Sequence, residues 1–434
     1  MSENYQKESE GNFEEKTQMS NQNKKDDNIN YDHNPIPINK QNNNNNSNNN
    51  NNNDNKNSIN TNQLINNNLN LTNNKKYNSS LQISNQDKNI DIKPYFEKVS
   101  RTGLLNLEDT SYLNVILQLL GQTREFAEHF LIYKNYYHEN IKEMPLSFVT
   151  SRLYTHIYKQ NNNEVEKYKP YSYLRVLGVL NKLYTNNKRK NANELLIFIL
   201  DSLHKEMVKK MKIDNYNDNY QNNYYVDSVN TIISQVFYLE QSTVQYCCKC
   251  YNKSDNKILN FNTFDLDILK PYKLYSNNIF ELKICDCLDL YFQDKSIKLF
   301  CDKCNQYQPH KITSKLDSTT ENILFLLDRG DNFDNLNNVL FKINFLVEKE
   351  IDISKYLNDR ESPKKFKLNG IVCIVPNEKK YVFYCKSSID NKCYFYDDEN
   401  VEFISDNEID INDLRSKNDK SYIPCILYYK SCKI

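Results

Sequence analysis

The chain has 434 residues with Lys+Arg and Asp+Glu equal at 56 each, so its formal net charge of zero provides no long-range field for nucleic acid or an anionic surface. Its 6 glycines exclude a Gly-rich phosphate loop, and no apolar run reaches the roughly 20 residues of a membrane-spanning helix. With no apolar core in its opening MSENYQKESE to mark an export signal, an intracellular protein of the cytoplasm or nucleus is expected, with no membrane and no nucleic-acid partner.

Residues 1–94 are dominated by Asn with Lys, Asp and Ser, including a run at 42–53 broken only by Ser47. Such composition cannot offset ordering entropy by apolar burial, so 1–94 is expected to be a disordered tail and 95–434 the folded domain. Next, Leu113, Ile116, Leu117 and Leu120 fall at i, i+3, i+4, i+7 behind Asp109, Thr110 and Ser111, which predicts a helix capped by these residues with Ser111 at its N-terminus. Unpaired backbone N–H groups and the positive end of the helix dipole favour an anion there.

A second helix is predicted over 191–207, with Ala192, Leu195, Leu196, Ile199 and Leu203 as its buried stripe. Glu194 stands near its start and away from most of that stripe, where a solvated acid is the plainer reading and a ligand contact the sharper one. Beyond about residue 227 the texture becomes short strand-like runs, first VFYLEQSTVQYCCKC, ILNFNTFDLDI and KSIKLFCDKC, later ENILFLLD, FKINFLV, LNGIVCIV, YVFYCK, KCYFYDD and YIPCILYYK. A helical first half and a largely antiparallel second half give an α+β class.

All 12 cysteines lie at or after Cys247, in a chain too large to depend on a disulfide framework. Cys247-x-x-Cys250 and Cys301-x-x-Cys304 are two paired-thiol knuckles separated by strand-like sequence, the arrangement that holds zinc tetrahedrally. Four sulfur ligands leave no open position for water, so this zinc is expected to be structural; ordinary unliganded thiols are the alternative. Farther on, two strand-like runs flank Ser387-Ser388-Ile389-Asp390, predicting a hairpin in which Lys386 faces Asn391 and Lys380 faces Asp397.

Taken in order, these pieces resemble the ubiquitin-specific protease family of cysteine deubiquitinases, from about Lys98 to Tyr429. Gly103, Leu104, Asn106, Thr110, Tyr112, Asn114, Leu117, Gln118 and Leu120 match its cysteine box, with Ser111 at the nucleophile position and Glu108 replacing a glycine. Ala192, Glu194, Leu196, Ile199, Leu200, Asp201, Leu203 and His204 match its second helical motif, although Asn191 replaces an aspartate. The resemblance implies a papain-like fold with helical thumb, antiparallel β palm and zinc-knuckle β fingers at roughly 227–310. It further implies ubiquitin or a ubiquitinated protein as partner, Glu194 toward the ubiquitin tail, Asn106 at the oxyanion position, and Arg329 as the remnant of an L-K-R-F motif.

In the histidine box, Lys379, Lys380 and Tyr381 replace Gly-His-Tyr, and Tyr396-Asp397-Asp398 replace Phe-Asp-Asp. No realignment supplies a histidine, because the last of the 6 is His310. Asp397 is expected to pair with Lys380 and hold it protonated, and loss of nucleophile or base costs a hydrolase about 10⁶ in rate. A pseudo-deubiquitinase acting by binding is the first expectation. Its alternatives are a hydrolase using a Ser111–Lys380 dyad, or a scaffold in a spliceosomal or other nuclear assembly.

Overall fold

The computed structural model describes residues 92–432 apart from 98, 100, 159–166, 187, 216–229, 276–280, 331–337, 360, 407 and 418–419. Residues 1–91 of the expected tail lie outside the described residues.

The apolar run after Thr110 forms α1, Ser111–Gln122. The sequence predicts one buried stripe, yet all 12 residues are buried, because α1 is packed by helices and by the palm sheet together. Its polar residues solve the resulting hydrogen-bond problem by lining up at i, i+4 and i+8. Asn114 Nδ2 donates to the Leu104 carbonyl at 3.0 Å, Gln118 Nε2 to the Thr102 carbonyl at 2.9 Å, and Gln122 Nε2 to the Tyr396 hydroxyl at 2.9 Å. A helix with this polar seam is held at a fixed rotation, since turning it would bury unpaired amides.

Around α1 stand α2 (Arg124–Ile132), α3 (Lys134–Glu139), α4 (Pro145–Ile157), α5 (Tyr171–Leu180), α6 (Ala192–Asn215) and α7 (Ile232–Phe237). The run 191–207 is thus helical as expected and continues to Asn215. Glu206 of α6 reaches the first turn of α4, accepting from the Leu146 and Ser147 N–H groups and the Ser147 hydroxyl at 2.9 Å each. This supplies acceptors that Pro145, opening α4, and Met144 before it do not. Burial raises the Glu206 pKa while the three donors pull it back.

Two short parallel strands, β1 (Gly103–Leu104) and β2 (Lys167–Tyr168), lie before the main sheets. The fingers sheet has the order β4-β3-β7-β6, built from β3 (Leu239–Cys247), β4 (Lys253–Phe261), β6 (Lys295–Cys301) and β7 (Gln306–Ser318). Its strands run on to Ser318, past the residue 310 expected for this subdomain.

The palm sheet has the order β13-β12-β11-β10-β14-β8-β5, with β9 (Glu350–Asp352) on β10. Its other strands are β5 (Phe264–Leu266), β8 (Asn322–Leu327), β10 (Lys365–Val375), β11 (Lys380–Lys386), β12 (Cys393–Asp397), β13 (Asn400–Ser405) and β14 (Ile423–Ser431). Among the described residues, β5 with β8 is its one parallel pair. The strand period of two divides the apolar residues between two cores. Tyr381, Phe383 and Cys385 of β11 face the helices, whereas Val382 and Tyr384 join a second core on the opposite face. Leu324 and Leu326 of β8 and Ile426 and Tyr428 of β14 follow the first pattern. The central strands are therefore continuous apolar runs rather than alternating ones.

Candidate functional site

The N-terminus of α1 and the start of β11 meet at Ser111. Its Oγ accepts a hydrogen bond from the Tyr381 backbone N–H at 3.1 Å, and the Tyr381 hydroxyl accepts from the Ala192 N–H at 3.4 Å. Tyr381 thereby ties the starts of α1 and α6 to one strand. Ser111 is only 2% exposed, with its oxygen turned toward the backbone of β11.

Lys380 precedes that anchor. Its Nζ lies 2.8 Å from Asp397 Oδ2 and 2.8 Å from Glu378 Oε2, while Glu378 Oε1 also receives Lys420 Nζ at 2.6 Å. Partial burial works to lower the Lys380 pKa, but the hydrogen bonds it donates to Asp397 and Glu378 outweigh it and hold the ammonium above its ordinary value. Glu378 is correspondingly held below its ordinary value, by Lys380 first and Lys420 second. The cluster is a four-membered ion network with alternating signs.

The expected hairpin register is wrong by two residues. Lys386 pairs with Cys393 and Phe383 with Tyr396, and Ser387 N–H bonds the Lys392 carbonyl, so the loop spans six residues rather than four. Asp390, Ser387 and Tyr394 stabilise the longer loop: the Tyr394 hydroxyl donates to Asp390 at 2.7 Å, and Ser387 Oγ accepts from the Ile389 N–H. An even shift leaves every side chain on its face, and a long lysine still reaches Asp397 diagonally.

Asn106 is also committed. Its Nδ2 donates to Asp398 Oδ2 at 2.9 Å and its Oδ1 accepts from the Thr110 N–H at 2.9 Å. Asp398 uses its other oxygen for Asn114 Nδ2 at 2.8 Å. Burial raises the Asp398 pKa, opposed by these two amides. The cap expected from Thr110 is corrected by the same loop: its hydroxyl accepts from the Leu107 N–H at 2.8 Å and makes no side-chain bond to α1. Gly103 packs here so closely that a Cβ would sit 2.1 Å from the Glu399 carbonyl oxygen.

Two residues bounding the site have left-handed backbone: Glu108 with φ 72° and Lys379 with φ 51°. Side chains are strained there, and glycine is not. Glu194 is exposed in the first turn of α6, and its charge, after burial, contributes to raising the pKa of nearby Tyr184 to about 12. Arg329 is buried, donating to the Pro424, Leu340 and Ile343 carbonyls, which makes it a cross-brace between chain segments.

At the tip of the fingers, Cys247, Cys250, Cys301 and Cys304 bring their sulfurs within 4.8 Å of one another, with Cys247–Cys304 at 3.9 Å and Cys250–Cys301 at 3.5 Å. A tetrahedral zinc with bonds of about 2.3 Å has sulfur–sulfur edges of about 3.8 Å, so these residues fit the ion. Both knuckles turn alike, through Tyr251 (φ 56°) and Asn305 (φ 51°) directly after the second cysteine of each. Burial opposes ionisation of Cys247, but N–H groups of Cys250 and Lys249 and the thiols of Cys301 and Cys250 bring its pKa down to about 6. The same sulfur contacts raise the pKa of Cys304, so ionisation belongs to the cluster and not to one thiol.

Sequence reasoning singled out Ser111, Lys380, Asp397 and Asn106, and the fold brings all four to one region. It missed Tyr381 as an anchor, Asp398 as the clasp of Asn106 and Asn114, and Glu378 and Lys420 as partners in the ion network. Asp398 was visible as the second acid of the Tyr-Asp-Asp sequence; the distant Lys420 carried no local signal.

With the site laid out, comparison with known proteins decides the family. The ubiquitin carboxyl-terminal hydrolase family model matches residues 102–429. This chain belongs to that family. Ubiquitin carboxyl-terminal hydrolase 37 of Gallus gallus is 25% identical over 270 residues, covering 59% of this chain and 26% of that protein. Usp2 of Drosophila melanogaster is 23% identical over 204 residues, covering 44% and 20%. The chain thus spans about a quarter or less of these two curated relatives. Among solved structures, the Ubp8/Sgf11/Sus1/Sgf73 deubiquitinating module of SAGA bound to ubiquitin aldehyde is similar with TM-score 0.57 and 20% identity, covering 78% of this chain and 71% of that one. The same module bound to monoubiquitin gives TM-score 0.57 at 19% identity, covering 79% and 71%. These likenesses establish the ubiquitin-specific protease fold.

Proposed function

We propose that this family member is a pseudo-deubiquitinase of the ubiquitin system, acting by binding ubiquitin or a ubiquitinated protein rather than by hydrolysis. The observation that carries this reading is Lys380 held between Asp397 and Glu378 at 2.8 Å each, at the general-base position beside a serine. A serine hydroxyl requires a base that takes its proton, and an ammonium with a raised pKa has no lone pair to offer. Ser111 instead directs its oxygen to the Tyr381 N–H. Asn106, clasped by Asp398 and Thr110, keeps one amide proton for a carbonyl, which is little stabilisation without a nucleophile.

Support for ubiquitin as the partner comes from the family and from the solved neighbours that are bound to ubiquitin aldehyde or monoubiquitin. A zinc held by the four fingertip cysteines fits the same reading, as a structural ion that fixes the fingers without taking part in chemistry. Those neighbours also sit in a multi-subunit module, which keeps a scaffold role in a larger assembly as the second reading. A titration with monoubiquitin, followed by heat or by chemical shift, tests the proposal. Saturable binding that weakens when Glu194 is changed to Lys is the expected result, and no binding at millimolar ubiquitin would transfer the function to other partners.

A further inference from the structure

Outside the site above, α3, α4 and Tyr168 of β2 line an open cavity of about 660 Å³. Helical spacing gives each wall a basic pair. Lys134 and His138 stand at i and i+4 on α3, while Phe148, Arg152 and His156 stand at i, i+4 and i+8 on α4. Among the described residues no carboxylate lines the cavity, although acidic and basic residues are equal at 56 over the chain. The local excess of cations is therefore a property of this concavity.

The walls are aromatic as well as basic. The Phe148 ring lies 5.7 Å from the His138 ring, and Tyr168 lies 4.7 Å from His156. Lys134 is steadied by a 3.0 Å bond to the Tyr95 hydroxyl and stands 5.5 Å over that ring, which leaves protons on its ammonium for another acceptor. The volume falls in the range of about 300–1,000 Å³ typical of organic-ligand pockets and far exceeds what a simple anion fills. Lys134 and Arg152 line the same hollow as the Phe148 and Tyr168 rings.

We propose that this cavity binds a small aromatic phosphate of the nucleoside monophosphate class, its ring system against Phe148 and Tyr168 and its phosphate toward Lys134 and Arg152. None of these residues belongs to the Ser111 site, so the inference stands apart from the proposed ubiquitin binding. Phosphate is favoured because Arg and Lys give it charge-assisted hydrogen bonds, and the flanking rings select a ligand with a π face.

Calorimetric titration of the full chain with AMP tests it. The expected result is a dissociation constant below about 1 mM that rises with salt. Adenosine and inorganic phosphate are each expected to bind at least about tenfold more weakly, as is AMP to the Lys134→Gln/Arg152→Gln variant. The single exposed Arg152→Gln change serves if the double variant does not fold. No heat with AMP, undiminished binding by either folded variant, adenosine binding as tightly as AMP, or phosphate binding as tightly as AMP would each overturn the proposal.

Discussion

Lys380 shows how one residue redirects a site. A histidine there has an unperturbed pKa near 6.5 and moves protons at neutral pH, whereas a lysine between two carboxylates stays charged until well into alkaline conditions. The sign follows from its raised pKa. Its contribution to stability is complete below the lysine pKa of the unfolded chain and is lost only as pH rises through the higher folded value. Glu108 and Lys379 carry a second message, because both adopt the left-handed backbone that glycine takes without strain. Replacing either by glycine is expected to stabilise the fold by about 0.5–1 kcal/mol, with near-additive effects, measured by urea unfolding. Destabilisation by both changes would show that the two side chains hold the site together. The glycines of the family motifs marked these positions in the sequence, but the reason, a positive φ, became visible only in three dimensions.

At the scale of elements, α1 and the palm hairpin were legible because period and motif agreed, and the details that failed were those set by long-range pairing. The stripe of Leu113, Ile116, Leu117 and Leu120 announced the helix. It gave no sign that Asn114, Gln118 and Gln122 would be equally buried, since their partners lie on β1, the preceding strand-like turn and β12. The hairpin loop was misjudged by two residues because Ser387 and Asp390 stabilise a longer turn than their composition suggests. The paired cysteines were the clearest sequence signal, since their spacing named the four thiols that the fold brings together. Metal analysis is expected to find about one zinc per chain, and a strong chelator to lower the melting midpoint and expose fingers amides to hydrogen exchange while α1 and β11 stay protected. Metal-free protein of unchanged stability would remove the ion from the account.

For the whole molecule, the two cores and their shared sheet build the family fold around Ser111, Lys380 and Asn106. α1 still presents its N-terminus to β11, and Asp398 still locks the Asn106 loop onto Asn114. At the meeting point of α1 and β11 stand a serine bonded to the backbone and a lysine in an ion network. Fold class was readable from the order of helices and strands, since each local preference agreed with the final layer it joined. The substitutions at two motif positions were readable from the sequence, whereas Glu378 and Lys420, which complete the ion network around Lys380, came from sequence neighbourhoods that gave no warning. The central claim is tested most directly by release of a fluorophore from the C-terminus of a ubiquitin conjugate, at high protein concentration from pH 6 to pH 9. The account predicts a rate equal to background throughout, unchanged by Ser111→Ala, and turnover that Ser111→Ala abolishes would contradict it.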